Sequence, residues 1–322
     1  MDEQVFQQYL AQLVERMKRG ERSAFDAFTR VLQIVGGFVR AHENERPEWD
    51  DVLRRWAVST AVIAARPEFQ PPPDLLGWVS TQLERAVADL LDVEDLQKRI
   101  TRAIAPPGCG MQIGCARRAK AWLSRDFVDV VSSDGWTWII LGDARGHGPA
   151  AAFYGNTVFP TIRPYLAYDR PVVESLRRAN ELLHRHRPGG EYAVAQIAGW
   201  NPVSRNLDLA NAGLTVNPII ITGGVAKVIE LASTPLGMFP NPEFGAYTHA
   251  PSCGDLLILA SDGIIDQRDR MDEEYGHERL VEFILGHPSL GPDELAAAIL
   301  EDVNRFGDGN PDDDQTVVVV QF

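Results

Sequence analysis

Asp126-Phe-Val-Asp-Val-Val-Ser-Ser-Asp-Gly-Trp-Thr-Trp-Ile-Ile-Leu-Gly-Asp143 contains two apolar runs on either side of Asp134-Gly135. An Asp-Gly pair between two such runs is among the strongest sequence signals for a β-hairpin. A two-residue loop at this pair places Asp126 directly opposite Asp143, whereas Asp129 should point to the other face of its strand. Like charges that face each other destabilise a sheet, so a cation shared by the two carboxylates would explain them. The alternative is that a bulge shifts the register and leaves both residues solvated at the strand ends.

Composition and charge restrict the kinds of protein this can be. The 322 residues are 45% hydrophobic and 24% charged, as in an ordinary soluble globular protein with one sizeable core and a smaller domain. The formal net charge of −14 disfavours nucleic-acid partners and binding to an anionic membrane. Cys109, Cys115 and Cys253 form no CxxC pair, which argues against disulfides or zinc and fits a reducing cytoplasm. The sequence shows neither a signal peptide nor an apolar run of the roughly 18 residues that a membrane span needs.

The N-terminal third of the chain contains helical periodicity and no strand signal. It predicts an all-helical domain over residues 1–74 and a linker helix over residues 75–107, followed by an α+β domain over residues 108–322. The apolar residues of the linker alternate steps of three and four, which is a heptad seam that favours pairing with another helix. That helix could belong to a second subunit, giving a homodimer, or to the chain's own bundle. The seam includes Leu76, Val79, Leu83, Leu90, Val93 and Ile100, with Gln97 as its polar position.

Short apolar runs separated by turn signals follow the hairpin. Their spacing leaves no room for helices between them, which argues for antiparallel sheets. Two helices are predicted directly after the hairpin and two more before the last strand, so the fold class of this domain is α+β. The predicted strands are residues 192–200, 206–210, 218–222, 225–231, 256–260 and 316–322, and the predicted helices begin near residues 149, 172, 278 and 292.

Two further aspartates lie, like Asp126 and Asp143, at the ends of apolar strands. Asp262 follows one predicted strand and Asp313 precedes the last one, so they meet if these two strands pair antiparallel. Each aspartate alone is an ordinary cap or turn residue, but four converging carboxylates need a cation if all are to remain ionised. Oxygen ligands without histidine or cysteine select Mg²⁺ or Mn²⁺ over zinc. The sequence therefore predicts a centre for hard divalent ions.

Residues around these aspartates suggest phosphoryl chemistry. Two hard ions about 4 Å apart can clamp a phosphorus centre for in-line displacement by a water. Asp143 and the carbonyl of Ala144 are suited to bridge the ions, because a sharp turn after a strand exposes backbone oxygens. Arg125 and Arg145 could bind a phosphoryl group bidentately or form surface ion pairs. His147, between two glycines, could touch the substrate or cap the helix that follows.

These residues resemble the motifs of the metal-dependent protein phosphatases (PPM, the protein phosphatase 2C superfamily), in the bacterial SpoIIE/RsbU-type branch. Arg125-Asp126-Phe-Val-Asp129 resembles Gly-Asp-Phe-Tyr-Asp of that branch, and Gly142-Asp143-Ala-Arg-Gly-His-Gly148 resembles its Gly-Asp-Val-Ser-Gly-His-Gly. The resemblance covers roughly residues 94–322. Its other motifs follow in the family's order: Asn211-Ala-Gly213, Pro235-Leu-Gly237, Gly254-Asp255, Ser261-Asp262-Gly263, Tyr275-Gly-His-Glu-Arg-Leu280 and Asp313-Asp-Gln-Thr316.

The resemblance implies an αββα sandwich of two antiparallel sheets flanked by helices, with an N-terminal all-helical domain that regulates and dimerises. It implies a Mn²⁺- or Mg²⁺-dependent serine/threonine phosphatase with two ions. The implied substrate is the phosphorylated antagonist of an anti-sigma factor, a STAS-domain protein of a partner-switching stress or developmental pathway. An activating partner or signal would act on the helical domain. The metal and catalytic positions carry over to Asp126, Asp143, Ala144 (by its carbonyl), Asp262 and Asp313.

Four departures from the family pattern motivate a second hypothesis. Ser124-Arg125 replaces paired glycines, Arg145 replaces a serine, Leu214 replaces a histidine and Asp266 replaces a glutamate. None removes a predicted metal carboxylate. They favour, as the alternative, a catalytically weak binding module of the same fold that acts as a regulatory adaptor. A two-metal nuclease is disfavoured because the net charge is −14 and no basic groove is apparent.

Overall fold

In a computed structural model, the described residues are Arg16, Arg19, 95–97, 99–100, 103–120, 123–146, 148–168, 171–187 and 190–322. The chain divides into two units, residues 1–95 and residues 96–322, and the fold given below is that of the second unit. Apart from Arg16 and Arg19, the predicted helical domain over residues 1–74 lies outside the described residues. So do five residues of the predicted seam, namely Leu76, Val79, Leu83, Leu90 and Val93.

The second unit contains two five-stranded antiparallel sheets. The first sheet has the strand order β1-β10-β9-β6-β7 and the second has the order β2-β3-β4-β5-β8. The strands are β1 (Gln112–Arg118), β2 (Asp126–Ser133), β3 (Trp136–Ala144), β4 (Ala193–Asn201), β5 (Asn206–Ala212), β6 (Ile219–Thr222), β7 (Val225–Val228), β8 (Gly245–His249), β9 (Leu256–Ala260) and β10 (Gln315–Gln321). The helices are α1 (Gly148–Tyr168), α2 (Val172–His186), α3 (Asp262–Ile265), α4 (Gly276–Gly286) and α5 (Pro292–Phe306).

The sheets stack face to face and are covered by helices on both outer sides. Because successive side chains of a strand point to opposite faces, alternate residues of each buried strand face the other sheet, and the residues between them face the helices. In β10, Val318 and Val320 enter the core between the sheets, whereas Val317 and Val319 pack among α4 and α5. The outer face of the second sheet packs against α1 and α2. The predicted αββα sandwich is therefore confirmed for this unit.

The hairpin has the register that the sequence predicts. Asp134 and Gly135 have positive φ angles of 56° and 78°, as the two central residues of a type I′ turn require. The paired residues run from Ser133 opposite Trp136 to Asp126 opposite Asp143, without a bulge. The alternative of a shifted register is therefore wrong.

The sequence pattern does not indicate β1 or β8, and both lie at sheet edges. An edge strand has a neighbour on one side and needs a less continuous apolar run than a central strand. β1 ends in Arg117-Arg118, and the residues of β8 alternate between exposed and half-buried.

Within the part of the chain that the structure describes, no helix combines the length and the apolar character needed to cross a bilayer.

Candidate functional site

The first pair of carboxylates lies at the open end of the β2–β3 hairpin. Asp126 begins β2 and faces Asp143 on β3, and the two residues are only 1% and 8% exposed. Thr316 on β10 donates a hydrogen bond from its Oγ1 to Asp126 Oδ2 at 2.6 Å. The Oδ1 atoms of Asp126 and Asp143 are buried and have no hydrogen-bond partner within the described part of the chain. A buried carboxylate oxygen without a partner costs free energy unless a cation or a proton compensates it.

The second pair lies where β9 and β10 meet. These strands are antiparallel, with Ala260 opposite Val317, so the end of β9 lies beside the start of β10. Asp262 lies two residues after the end of β9 and is the first residue of α3, and Asp313 lies in the turn before β10. Gly263 makes the approach close, since a Cβ at this position would lie 2.1 Å from the carbonyl oxygen of Asp314. The sequence prediction that the two strand ends meet is confirmed.

The carboxylates of the two sheets are near enough to act on one another. Burial raises the pKa of Asp143 to about 7, Arg125 opposes this rise, and the charges of Asp262 and Asp313 add to it. Burial also raises the pKa of Asp126 well above its ordinary value, with a further contribution from Asp143. The pKa of Asp262 is raised by burial and then by Asp313. The four predicted aspartates therefore form one electrostatic cluster between the edges of the two sheets.

The side chain of Arg125 enters this cluster. Its Nη1 lies 3.6 Å from Asp143 Oδ2, its Nε lies 3.4 Å from Asp314 Oδ2, and its Nη2 forms an ion pair with Asp313. Nη1 also donates to the carbonyl oxygen of Gly146 at 3.1 Å. Burial lowers the pKa of Arg125, but the three carboxylates raise it above its ordinary value, so the side chain carries a full positive charge.

The donor set fits a hard divalent ion, although its side chains are not closed around one. The cluster offers carboxylate oxygens, and the two unpartnered Oδ1 atoms of Asp126 and Asp143 face no competing hydrogen bond from the described residues. Such ligands suit Mg²⁺ or Mn²⁺. In the described ranges, no three acidic, histidine or cysteine side chains stand close enough together to hold an ion as they are. Arg125 contacts one carboxylate of each pair, Asp143 and Asp313. Ala144, the predicted carbonyl ligand, is buried at the end of β3.

The other predicted phosphate-binding residues are placed differently. Arg145 donates a hydrogen bond to the hydroxyl of Tyr192, and its guanidinium lies 4.9 Å from the centre of that ring. It is therefore directed along the surface beside the cluster. His147 lies outside the described residues. Asp129, as expected, points to the opposite face of β2, where it accepts two hydrogen bonds from Arg163 of α1.

The polar position of the predicted seam, Gln97, contacts the segment just before the strand that begins with Asp126. Gln97 is buried, donates from Nε2 to the carbonyl of Ser124 at 2.6 Å, and accepts from the amide of Ser124 at 3.0 Å. Ser124 in turn accepts a hydrogen bond on its Oγ from the amide of Asp126 at 3.1 Å. Ile100, the described apolar residue of the seam prediction, is 43% exposed. One side of this helical segment thus anchors to the start of β2.

Two residues of the cluster are absent from the sequence prediction. Asp314 is buried and accepts hydrogen bonds from the amides of Arg125 at 2.7 Å and Lys120 at 2.8 Å. Thr316 holds Asp126, as described above. Both belong to the Asp-Asp-Gln-Thr motif that begins at Asp313, so this motif was the sequence feature that could have indicated them. Their roles depend on a contact between the two sheets that local pattern does not reveal.

Several family-like motifs away from the cluster support the fold. Asn211 donates from Nδ2 to the carbonyls of Leu214 and Leu231 and accepts from the amide of Leu214. Gly213, with φ of 84°, packs so closely that a Cβ would lie 2.7 Å from the backbone of Pro235. The Asn-Ala-Gly and Pro-Leu-Gly motifs are therefore parts of one packed turn.

A family model described as Stage II sporulation protein E (SpoIIE) matches residues 133–322. Stage II sporulation protein E of Priestia megaterium is 20% identical over 341 residues, which cover 96% of this chain and 58% of the relative. This chain therefore spans less than two thirds of that relative's length.

Two solved structures show the same fold. The RsbU and RsbW domains of a Mycobacterium tuberculosis protein align with 66% of this chain and 61% of their own, at a TM-score of 0.59 and 22% identity. RsbX in complex with magnesium aligns with 68% of this chain and 98% of its own, at a TM-score of 0.51 and 18% identity.

Proposed function

This chain belongs to the Stage II sporulation protein E family, and on that premise we propose that it is a metal-dependent protein serine/threonine phosphatase. The observation that carries the proposal is the cluster of carboxylates from two sheets, in which Asp126 and Asp143 each keep a buried oxygen without a hydrogen-bond partner among the described residues. A cluster of this kind destabilises a fold unless a cation compensates it, so its presence is best explained by what it binds.

In this proposal the cluster holds two Mn²⁺ or Mg²⁺ ions. The ligands would be Asp126, Asp143, the carbonyl of Ala144, Asp262 and Asp313. When bound, the ions would polarise the phosphoryl group and activate a water for its displacement. Thr316 supports this role, because its hydrogen bond fixes one oxygen of Asp126 and leaves the other free. The related RsbX has been crystallised with magnesium.

The proposed substrate is a phosphorylated STAS-domain protein, the antagonist of an anti-sigma factor in a partner-switching stress or developmental pathway. Similarity to a structure that contains RsbU and RsbW domains supports this class of partner. Arg125, Arg145 and His147 are the proposed contacts to the substrate phosphate. We further propose a cytoplasmic homodimer, in which an activating partner or signal acts on residues 1–74 and is transmitted by the linker helix.

One observation favours a second function. Arg125 occupies two of the proposed metal carboxylates with its ion pairs to Asp143 and Asp313. A protein that kept this arrangement permanently would be a catalytically weak adaptor that binds the phosphorylated partner without hydrolysing it.

A single assay distinguishes the two functions. The full chain is incubated with a phosphorylated STAS-domain protein and increasing Mn²⁺, and release of phosphate is measured against the Asp143→Asn variant. The phosphatase proposal expects turnover that requires Mn²⁺ and falls by at least about a hundredfold in the variant. Turnover no higher than that of the variant, with retained binding of the partner, would establish the adaptor.

A further inference from the structure

Arg125 connects the two sheets through charge. Its guanidinium contacts Asp143 of the second sheet and, in the turn before β10 of the first sheet, Asp313 and Asp314. These contacts span the same gap that the proposed ions would bridge. A guanidinium offers several donors in a rigid plane, so one side chain can satisfy carboxylates from separate elements.

The backbone of Arg125 is fixed while its side chain has a route out. The amide of Arg125 donates to Asp314 Oδ2 at 2.7 Å, and its carbonyl accepts from the amide of Ala144 at 3.4 Å. The side chain keeps 16% of its surface exposed. A change of side-chain rotamer can therefore take the guanidinium away from the carboxylates without moving β2 or β3.

We propose that Arg125 is a tethered cation that competes with divalent ions for Asp143 and Asp313, so that the metal centre fills when the guanidinium leaves. The inference rests on the proposed function, because it concerns the same carboxylates. It assigns to Arg125 a role in regulating metal binding, in addition to the proposed contact with the substrate phosphate.

The competition follows from charge and from shared oxygen atoms. Arg125 Nη2 is hydrogen-bonded to Asp313 Oδ1, so an ion that takes this oxygen must displace the guanidinium. The other contact, to Asp143 Oδ2, would bring an arginine and a divalent cation together at one carboxylate, where like charges repel strongly. Occupation by one cation therefore opposes occupation by the other, which is a negative coupling between two binding events.

The test is calorimetric titration of Mn²⁺ into the full chain, compared with Arg125→Ala and with Arg145→Ala. Arg145 is the matched control because it is two residues beyond Asp143, carries the same charge, and contacts Tyr192. We expect Arg125→Ala to bind Mn²⁺ about 5- to 150-fold more tightly than the wild type, the usual range for coupled sites. Arg145→Ala should change the affinity by less than about threefold, through its long-range charge alone.

Stability without metal gives a second readout that does not depend on activity. In EDTA, Arg125→Ala should unfold at a lower temperature than the wild type, because its carboxylates lose their counter-charge, and it should gain more from added Mn²⁺. A variant that folds only with Mn²⁺ also supports the proposal. If Arg125→Ala does not fold at all, Arg125→Lys replaces it in the test. A lysine keeps the positive charge but cannot hydrogen-bond several carboxylates at once as the planar guanidinium does, so this variant should bind Mn²⁺ more tightly than the wild type.

Two results would overturn the inference in different ways. Equal Mn²⁺ affinity in the wild type and the Arg125 variants would remove the role of Arg125 and leave the phosphatase proposal intact. Absence of Mn²⁺ and Mg²⁺ binding in all folded variants would remove the metal centre, and the role of Arg125 with it.

Discussion

Replacing Gly263 by alanine tests whether the two halves of the carboxylate cluster are packed as closely as the structure indicates. Gly263 follows Asp262, and its amide donates to Asp262 Oδ1 at 2.9 Å. An added Cβ would lie 2.1 Å from the carbonyl oxygen of Asp314, where ordinary contact begins at 3.4 Å. The segment with Asp262 and the turn with Asp313 would have to separate by about 1.3 Å, the difference between these distances.

This separation should affect both stability and chemistry. The neighbour is backbone and not a flexible side chain, so overpacking should cost about 1–3 kcal/mol of the free energy of unfolding. A displacement of about 1 Å in a catalytic group can lower turnover about a hundredfold. We therefore expect Gly263→Ala to unfold at lower urea concentration. It should also lose most of the proposed Mn²⁺-dependent phosphatase activity, since Asp262 and Asp313 would no longer reach the proposed ions together.

A matched variant separates this effect from a general response to alanine. Gly286 ends α4, is exposed, and has no neighbouring atom within 4 Å of an added Cβ. Gly286→Ala should leave activity unchanged and should stabilise the protein by no more than about 1 kcal/mol, because alanine favours a helix more than glycine does. If Gly263→Ala matched Gly286→Ala in urea midpoint and in Mn²⁺ dependence, the close contact between Asp262 and the turn before β10 would be refuted.

Three further predictions concern titration, a partly buried ion pair and thiol reactivity. Burial raises the pKa of Asp143 from 3.8 to about 7, so the metal-free protein should lose stability as the pH rises from about 4 to 7. The affinity for Mn²⁺ should fall below pH 7, because the ion then displaces a proton from Asp143. Calorimetry in buffers of different ionisation enthalpy should detect that proton, and an affinity that does not change between pH 5 and 7 would contradict the prediction. Arg163→Ala should destabilise the protein by about 1–3 kcal/mol, because the buried side chain of Asp129 would lose two hydrogen bonds from a guanidinium that is itself 44% exposed. Urea unfolding within about 0.5 kcal/mol of the wild type would disprove this. Burial raises the pKa of Cys115 to about 11, whereas Cys253 is exposed. At pH 8 a maleimide should therefore react with Cys253 at least about 100 times faster than with Cys115. Peptide mass mapping over time measures both rates, and faster modification of Cys115 would contradict the prediction.

The parts of the fold that local rules govern could be predicted from the sequence. The hairpin register depends on the Asp134-Gly135 turn and on the twofold period of the strands, and both are local. The same applies to β9, whose five predicted residues are those of the structure. The edge strands β1 and β8 could not be predicted, since their pairing depends on β10 and β5, which lie far away in the chain.

The candidate site follows the same division. Strand ends at Asp126, Asp143, Asp262 and Asp313 could be identified because each marks a change from an apolar run. The contacts between the two sheets join residues far apart in the chain, such as Thr316 and Asp126, which are 190 positions apart. No local periodicity encodes such contacts. Arg125 shows the limit most clearly. Its sequence position allowed either a phosphate contact or a surface ion pair, and the structure gives a third arrangement, an ion pair inside the cluster.

The carboxylate cluster couples the proposed metal binding to the stability of the fold. The core between the sheets is apolar along most of its length, but at this end Asp126, Asp143 and Asp314 are buried side chains that repel one another. Hydrophobic burial cannot stabilise that end, so a proton or a cation must compensate the carboxylates. Any cation that binds only the folded chain shifts the folding equilibrium toward the folded state by mass action. Arg125 supplies one such charge from within the chain. On the proposal above, the folded state would persist without metal at the cost of weaker metal binding. A change that withdraws Arg125 would then lower the stability of the metal-free protein and raise its affinity for divalent ions.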